Sequence, residues 1–187
     1  TLIQAAYVNG GTVELNKSGT NVAIPHDLFI NQTGVVKYTG DSSNMIADNR
    51  AVTIYESGQL DFNGKTDTIA TLSIYSTGAS GNTTPIANSG TGGTLTIGTL
   101  GITPLTGYNT LIDTGTGTFT LGGNVTFNAA GSGTAQISGN LDLGGTTRLF
   151  TVNDGDALAD VVIDAAISGA TGVGLTTGSS GRLVLSG

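Results

Sequence analysis

One short pattern recurs along the chain and constrains its fold more than any other feature. A small residue, in all but one copy Gly, is followed by any residue, an apolar residue, any residue and a second apolar residue. Successive copies begin 20 to 24 residues apart, with one longer interval of 35 residues. The copies occupy residues 11–15, 34–38, 58–62, 93–97, 117–121, 139–143, 159–163 and 181–185.

The alternation within each copy indicates a short β-strand, because two apolar side chains separated by one residue point to the same side of a strand. Each interval has room for two further short strands, and apolar segments that fit them occur at residues 22–24, 28–30, 52–54, 72–74, 125–127 and 149–152. Three short strands per period are typical of a parallel β-helix, in which each coil pairs with the next and buries its neighbour's apolar face. We therefore expect an all-β solenoid of about eight coils, forming a single domain over residues 1–187.

The alternative fold is an antiparallel β-sandwich, since short strands at regular spacing also describe that class. The near-constant interval favours the solenoid. The interval of 35 residues predicts a loop excursion over residues 76–92, which are rich in Gly, Ser, Thr, Asn and Pro. A smaller excursion is expected over residues 41–49. No segment has a helical apolar period, so no helix is expected.

Composition excludes several partners. Hydrophobic residues make up 37% of the chain and charged residues 10%, so the chain is expected to fold but with few surface charges. The formal net charge is -7, which disfavours nucleic acid and an anionic membrane surface, because both would need a basic patch. No apolar run reaches the roughly 18 residues of a membrane span, and there is no cysteine for disulfides or thiolate metal sites.

Two stretches resemble the autotransporter-associated β-strand repeat family of bacterial surface and secreted passenger domains. The first is AVTIYESGQLDFNGKTDTIATLSI, at residues 51–74, and the second covers residues 117–187, with GNLDLGGTTRLFTVNDGDALADVVIDAAISG and the closing GRLVLSG. Together they span about half of the chain. The resemblance implies a right-handed β-helical passenger that is exported, and it carries no catalytic residues. Residues 1–49 match less well, and we expect the chain to be part of a longer array.

No arrangement of catalytic residues is evident from the sequence. The single histidine, His26, lies between Pro25 and Asp27, where a turn is expected. Asp61 and Asp142 occupy the same position of the pattern, and we place them about four coils apart, on the order of 19 Å at strand spacing. A glycosidase needs two carboxylates about 5 to 10 Å apart. We therefore expect no enzymatic activity, and a polysaccharide-active β-helix enzyme is the least favoured alternative.

The densest acidic cluster offers candidate calcium ligands at Asp154, Asp156 and Asp160. Calcium takes six to eight oxygen ligands from converging groups. The spacing matches neither an EF-hand nor the Gly-rich nonapeptide of calcium-binding solenoids. The alternative interpretation is a turn, in which Asx side chains bond the local backbone. No other cofactor is expected.

These observations favour a non-catalytic structural or adhesive β-solenoid of a bacterial surface or secreted protein, located outside the cell. Its expected partners are other repeats or copies of itself, joined through strand edges, together with glycans or a cell surface. Outward Thr residues at positions 94, 96, 118 and 120 would supply a hydroxyl-covered face for such contacts. The alternative function is a self-assembling filament subunit, joined through exposed terminal strands such as residues 183–185.

Overall fold

A computed structural model describes residues 4–76, 81–129 and 131–187, and those residues form β-strands, turns and bends without any helix. None of them belongs to a helix that could cross a membrane. The strands are β1 (Ala5–Val8), β2 (Thr12–Leu15), β3 (Asp27–Ile30), β4 (Val35–Tyr38), β5 (Ala51–Tyr55), β6 (Gln59–Asp61), β7 (Asp67–Ser76), β8 (Gly81–Ala87), β9 (Thr94–Pro104), β10 (Tyr108–Leu121), β11 (Val125–Asn128), β12 (Thr134–Asp142), β13 (Arg148–Asn153), β14 (Val161–Ile163), β15 (Ala166–Ser168), β16 (Leu175–Gly178) and β17 (Leu183–Leu185).

The strands stack in parallel on three faces. The first face is the succession β1, β3, β5, β7, β9, β11, β13 and β16, joined by seven parallel pairings. The second face is the succession β2, β4, β6, β8, β10, β12, β14 and β17, also joined by seven parallel pairings. The chain is therefore a parallel β-solenoid of about seven turns. This confirms the predicted fold class and shows that the antiparallel sandwich is wrong.

The third face is shorter because its first rungs contain no strand. It begins with an isolated bridge between Ile24 and Ile46, and continues through the first part of β7 and β9, the last part of β10 and β12, and β15. Strands β7, β9, β10 and β12 each run from one face to the next, and β10 does so through a register shift between Asp113 and Thr118. Residues 41–49 contain no strand, but Met45 and Ile46 are fully buried and Ile46 bridges to Ile24, so this segment forms a rung of the third face and is not the smaller excursion that the sequence predicts.

The core consists of apolar columns that run along the stacking direction. On the second face, side chains in register form one such column: Val13, Val36, Leu60, Ile86, Ile112, Ile137, Ile163 and Leu185. The members from Val36 to Ile163 are at most 1% exposed. Burying an aliphatic side chain contributes about 1.5 to 3 kcal/mol. Since each rung covers the next, stability comes from stacking and not from any single coil.

Close backbone approach explains the Gly that opens three of the five copies of the pattern on the second face. At Gly34 and Gly58, a Cβ atom would collide with the carbonyl oxygen of the first-face strand in the coil below, at Val8 and Ile30 respectively. Gly181 has the same relation to Val152. Only Gly fits a corner where one backbone passes this close to another.

The eight copies of the pattern do not share one face, contrary to the sequence interpretation. Copies at residues 11–15, 34–38, 58–62, 159–163 and 181–185 lie on the second face, whereas those at 93–97, 117–121 and 139–143 lie on the third. The long interval of 35 residues arises because the pattern changes face there. It does not mark an inserted loop.

The loop excursion predicted over residues 76–92 is wrong for its central part, which is strand β8. This strand pairs with β6 and β10, and its register on β10 shifts between Thr110 and Ile112. Residues 77–80 lie outside the described residues. The segment resembles a loop in sequence because hydroxyl side chains replace apolar ones inside it: Ser76 Oγ lies 3.1 Å from Thr83 Oγ1 and 2.6 Å from Thr110 Oγ1 in the interior.

Candidate functional site

Outward side chains form ladders because parallel rungs repeat the same positions. On the third face, Thr94 pairs with Thr118 and Thr96 with Thr120, as the sequence predicts for a hydroxyl-covered face. Asn140 and Asp142 continue the two ladders on β12. Adjacent rungs of a sheet are about 4.8 Å apart. The face therefore presents two rows of small hydrogen-bonding groups at that spacing.

Amide side chains form a second kind of ladder. Asn31 Nδ2 donates to Asn9 Oδ1 at 2.7 Å, and Asn153 Nδ2 donates to Asn128 Oδ1 at 2.8 Å. Asn109 Nδ2 donates to the Oδ1 atom of Asn82 at 3.0 Å on another face. Each pair joins consecutive coils, so side-chain hydrogen bonds reinforce the backbone ladder at the surface.

Aromatic rings stack in the same direction on the first face. The ring centroids of Tyr7 and Phe29 are 5.0 Å apart, and so are those of Tyr55 and Tyr75, with planes 13° and 14° from parallel. Tyr7 is 63% exposed and Tyr55 36%. These outward rings are separate from the interior Phe side chains, and they add an apolar component to an otherwise polar face.

One carboxylate lies inside the core. Asp67 aligns with Leu95 in the column that continues through Phe119, Leu141 and Ile167, and it is 1% exposed. Tyr38 Oη donates to its Oδ2 atom at 2.8 Å, and the Ile46 amide donates to the same atom at 3.0 Å. Its Oδ1 atom accepts from the Thr68 amide at 3.0 Å. The coil below β7 has no strand on the third face, and the Asp67 carboxylate there accepts the hydrogen bond of the Ile46 amide.

Burial shifts the pKa values of both Asp67 and Tyr38. Burial raises the pKa of Asp67 to about 6, opposed in part by the hydrogen bonds from Ile46, Tyr38 and Thr68, and the nearby Asp48 raises it further. Burial and the negative charge of Asp67 raise the pKa of Tyr38 well above its ordinary value. Above pH 6 the core therefore holds a carboxylate that accepts a hydrogen bond from a neutral tyrosine.

A second buried carboxylate, Asp61, lies at the end of β6, where polar groups surround it. The Ser89 amide and the Asn63 amide each donate to Oδ1 at 2.9 Å, and Ser89 Oγ donates to Oδ2 at 2.6 Å. Lys37 Nζ lies 3.3 Å from Oδ2. Burial acts to raise the pKa of Asp61, but the hydrogen bonds from Ser89 and Asn63 and the charge of Lys37 together hold it below its ordinary value.

Asp61 and Asp142 do not occupy equivalent positions, so the predicted separation of four coils along one column is wrong. Asp61 lies on the second face, where it aligns with Lys37 and Ala87. Asp142 lies on the third face, where it aligns with Thr120 and its Oδ1 atom accepts from the Gly144 amide. The error has a physical cause, since an apolar-x-apolar strand has the same sequence on either face. His26 lies in the bend before β3, as predicted.

The three candidate calcium ligands are not brought together as a metal site. Asp154 and Asp156 are exposed, whereas Asp160 is fully buried. The Gly155 amide donates to Asp160 Oδ1 at 2.9 Å and the Arg182 amide donates to Oδ2 at 2.7 Å, so the carboxylate serves the local backbone. Within the described ranges, no group of three or more acidic or histidine side chains is placed to hold a metal ion. The turn interpretation fits this segment.

Sequence reasoning missed both Asp67 and Arg148. The sequence did carry a signal for Asp67, because Asp67 and Ile69 are separated by one residue and therefore point to the same side of β7, where both are buried. Arg148 is 8% exposed, and its guanidinium donates to the carbonyl oxygens of Leu143 at 2.7 Å and Gly122 at 2.9 Å. It is the first residue of β13, where no sequence signal distinguishes a buried corner from a solvated strand end.

Fold and surface together define a parallel β-solenoid with polar side-chain ladders. Comparison with family models, with curated proteins and with solved structures gave no match for the chain.

Proposed function

We propose that the chain is a non-catalytic structural or adhesive module of a bacterial surface or secreted protein. The observation that supports this most is the unbroken succession of parallel rungs, which carries regular rows of Thr and Asn on its outside. Such a stack resists bending, because every rung is hydrogen-bonded to its neighbours and shares one continuous apolar core.

The adhesive part of the proposal assigns contact to the third face. Its rows of hydroxyl and amide groups both donate and accept hydrogen bonds, and they repeat every 4.8 Å or so. A polymer with hydroxyl groups along its length offers complementary partners, so surface polysaccharide is the proposed ligand class. The location outside the cell and the resemblance to autotransporter repeats belong to this same proposal.

A pull-down with insoluble polysaccharides tests the adhesive role. The wild-type chain is compared with a variant in which Thr94, Thr96, Thr118 and Thr120 are replaced by Ala. The matched control replaces three outward residues of the first face, Thr53, Thr126 and Thr151, by Ala. The proposal expects binding that the third-face variant loses and the control keeps. Equal binding by both variants, or none by the wild type, would contradict it.

The non-catalytic part is tested by incubating the chain with acidic polysaccharides, with and without calcium. The proposal expects no shortening of the polymer in either condition. Release of unsaturated or reducing ends, lost on replacement of a specific carboxylate, would establish a polysaccharide-active enzyme instead.

A filament subunit is a second proposal, and the last described rung of the second face favours it. Leu185 is 57% exposed there, while Ile163 in the rung beneath is fully buried. A second copy could pair with β17 and cover Leu185 in the same way. Light scattering over a range of concentrations tests this, with Leu185→Lys as the disrupting variant. Leu158→Lys is the control, since Leu158 is 90% exposed and outside the columns. A concentration-independent monomer would contradict the proposal.

A further inference from the structure

Three places in the chain join an Asx residue to a following Gly: Asn9–Gly10, Asn63–Gly64 and Asp154–Gly155. An Asn side chain can cyclise when the next backbone nitrogen attacks its Cγ atom. Gly at that position favours the reaction, because it has no Cβ to obstruct the approach and its backbone adopts many conformations. The attacking nitrogen must also be free of a competing hydrogen bond.

At Asn9 these requirements are met. Asn9 and Gly10 are both exposed, in the turn between β1 and β2. The Gly10 nitrogen makes no hydrogen bond with any residue that the structure describes. Asn31 Nδ2 donates to Asn9 Oδ1 at 2.7 Å. A donor on this oxygen polarises the carbonyl that the nitrogen attacks and stabilises the negative charge that develops there.

At the other two places the attacking nitrogen is engaged. The Gly64 amide donates to Asn88 Oδ1 at 2.6 Å, and a Cβ at Gly64 would lie 2.7 Å from the Thr91 carbonyl oxygen, so this turn is tightly packed. The Asn63 side chain is also held, since its Nδ2 atom donates to the Tyr38 carbonyl oxygen at 2.8 Å. The Gly155 amide donates to Asp160 Oδ1 at 2.9 Å.

We propose that Asn9 is a site of spontaneous deamidation, selected by the fold over Asn63. The Gly10 nitrogen forms a bond to Asn9 Cγ, and the bond from Cγ to Nδ2 breaks. The Nδ2 amino group takes up the Gly10 amide proton and leaves as ammonia. Water then adds to one of the two carbonyl carbons of the cyclic imide. Breaking the bond between the Gly10 nitrogen and Cγ gives Asp at position 9. Breaking the bond between the same nitrogen and the backbone carbonyl carbon gives isoaspartate.

The two products differ in their effect on the first coil. Asp at position 9 still accepts from Asn31 and adds one negative charge to a chain that already carries a formal charge of -7. Isoaspartate inserts a methylene into the backbone between β1 and β2, and so changes the spacing at that corner. The fraction of chains with Asp or isoaspartate at position 9 should therefore increase with time, and the change is confined to one end of the described stack.

The experiment is an incubation of the folded full chain at mildly alkaline pH, followed by peptide mapping with a mass-based assay for deamidation and an enzymatic assay for isoaspartate. The expected result is deamidation at Asn9 at least about tenfold faster than at Asn63, the difference expected if a hydrogen bond must break first. In denaturant the two rates are expected to become equal within a few-fold. Comparable rates in the folded chain, or a preference that persists in denaturant, would overturn the proposal.

Gly10→Ala is the test variant, because it keeps the fold while obstructing the attack. A Cβ at Gly10 would meet only Thr33 Oγ1, at 3.8 Å, and the φ of Gly10 is not among the positive values of the chain. The variant is expected to slow deamidation at Asn9 by at least about tenfold, since the added Cβ crowds the nitrogen. An unchanged rate at Asn9 would overturn the proposal.

Discussion

Tyr38 Oη donates a hydrogen bond to Asp67 Oδ2 at 2.8 Å across the interior of the solenoid. Tyr38 belongs to β4 on the second face, and Asp67 begins β7 where the third face acquires its first strand. The same oxygen accepts from the Ile46 amide at 3.0 Å. The pair therefore connects a coil that lacks a third-face strand to the first coil that has one.

The buried carboxylate makes stability depend on pH. The pKa of Asp67 is about 6 in the folded chain against 3.8 for the ordinary group, so between those values the folded state binds more protons than the unfolded state. The free energy of unfolding should therefore fall as pH rises from about 4 to 7, by up to about 3 kcal/mol at about 1.4 kcal/mol per pKa unit. Urea denaturation across this range measures the slope.

Asp67→Asn is the matching variant for this slope. Its amide oxygen can still accept from Tyr38 and Ile46, but it does not titrate, so the decline between pH 4 and 7 should disappear. Asp61 affects a different window: its pKa is lowered on folding, so its contribution is lost only as pH falls below about 4. Equal slopes in wild type and variant would show that another group is responsible.

A double-mutant cycle tests the coupling of the same pair. Asp67→Leu supplies the apolar residue that the aligned rung has at Leu95, but it leaves the Tyr38 hydroxyl buried without its acceptor, and we expect a cost of about 2 to 4 kcal/mol. Adding Tyr38→Phe removes that unpaired hydroxyl. The double variant should therefore be more stable than the sum of the single losses predicts, by about 1 to 2 kcal/mol. Additive losses would contradict the coupling.

Two arginines at equivalent corners should respond differently to substitution. Arg148 and Arg50 occupy equivalent positions on the first face, each two residues before an aligned core residue, but among the described residues only Arg148 of the two donates side-chain hydrogen bonds to backbone carbonyl oxygens. The Nε atom of Arg50 is buried without a partner. Arg148→Met should cost about 2 to 3 kcal/mol, whereas Arg50→Met should be neutral or stabilising. Chemical denaturation of both variants decides this, and equal costs would contradict the assignment.

Loss of a column side chain should depend on its place in the stack. Ile137 is fully buried between rungs, so Ile137→Ala should cost about 2 to 5 kcal/mol. Leu158→Ala, at a residue 90% exposed, should change stability by no more than about 0.5 kcal/mol. Thermal and urea unfolding measure both. A small cost at Ile137 would mean that the columns do not stabilise the stack.

Strand positions could be predicted because alternation follows directly from β geometry, as at residues 117–121, which form the end of β10. The face of each strand could not be predicted, since all three faces bury apolar side chains with the same period of two. Strand β8 was missed because Thr83 faces the interior and Pro85 interrupts the backbone donors. Asp67 was missed as a core residue because its partners Tyr38 and Ile46 are distant in sequence and adjacent only after coiling.

Distances along one outward column test the central claim, that successive rungs stack in parallel and in register. Thr53, Ser73, Gly101, Thr126 and Thr151 align on the first face, as do Tyr7 and Phe29 before them. The chain has no cysteine, so a pair of nitroxide labels can be attached to two introduced cysteines without labelling any other residue. Electron paramagnetic resonance should give backbone separations that grow by about 4.8 Å per rung, to about 19 Å between positions 53 and 151 and about 29 Å between 7 and 151. Separations that do not grow with the number of rungs would contradict the solenoid.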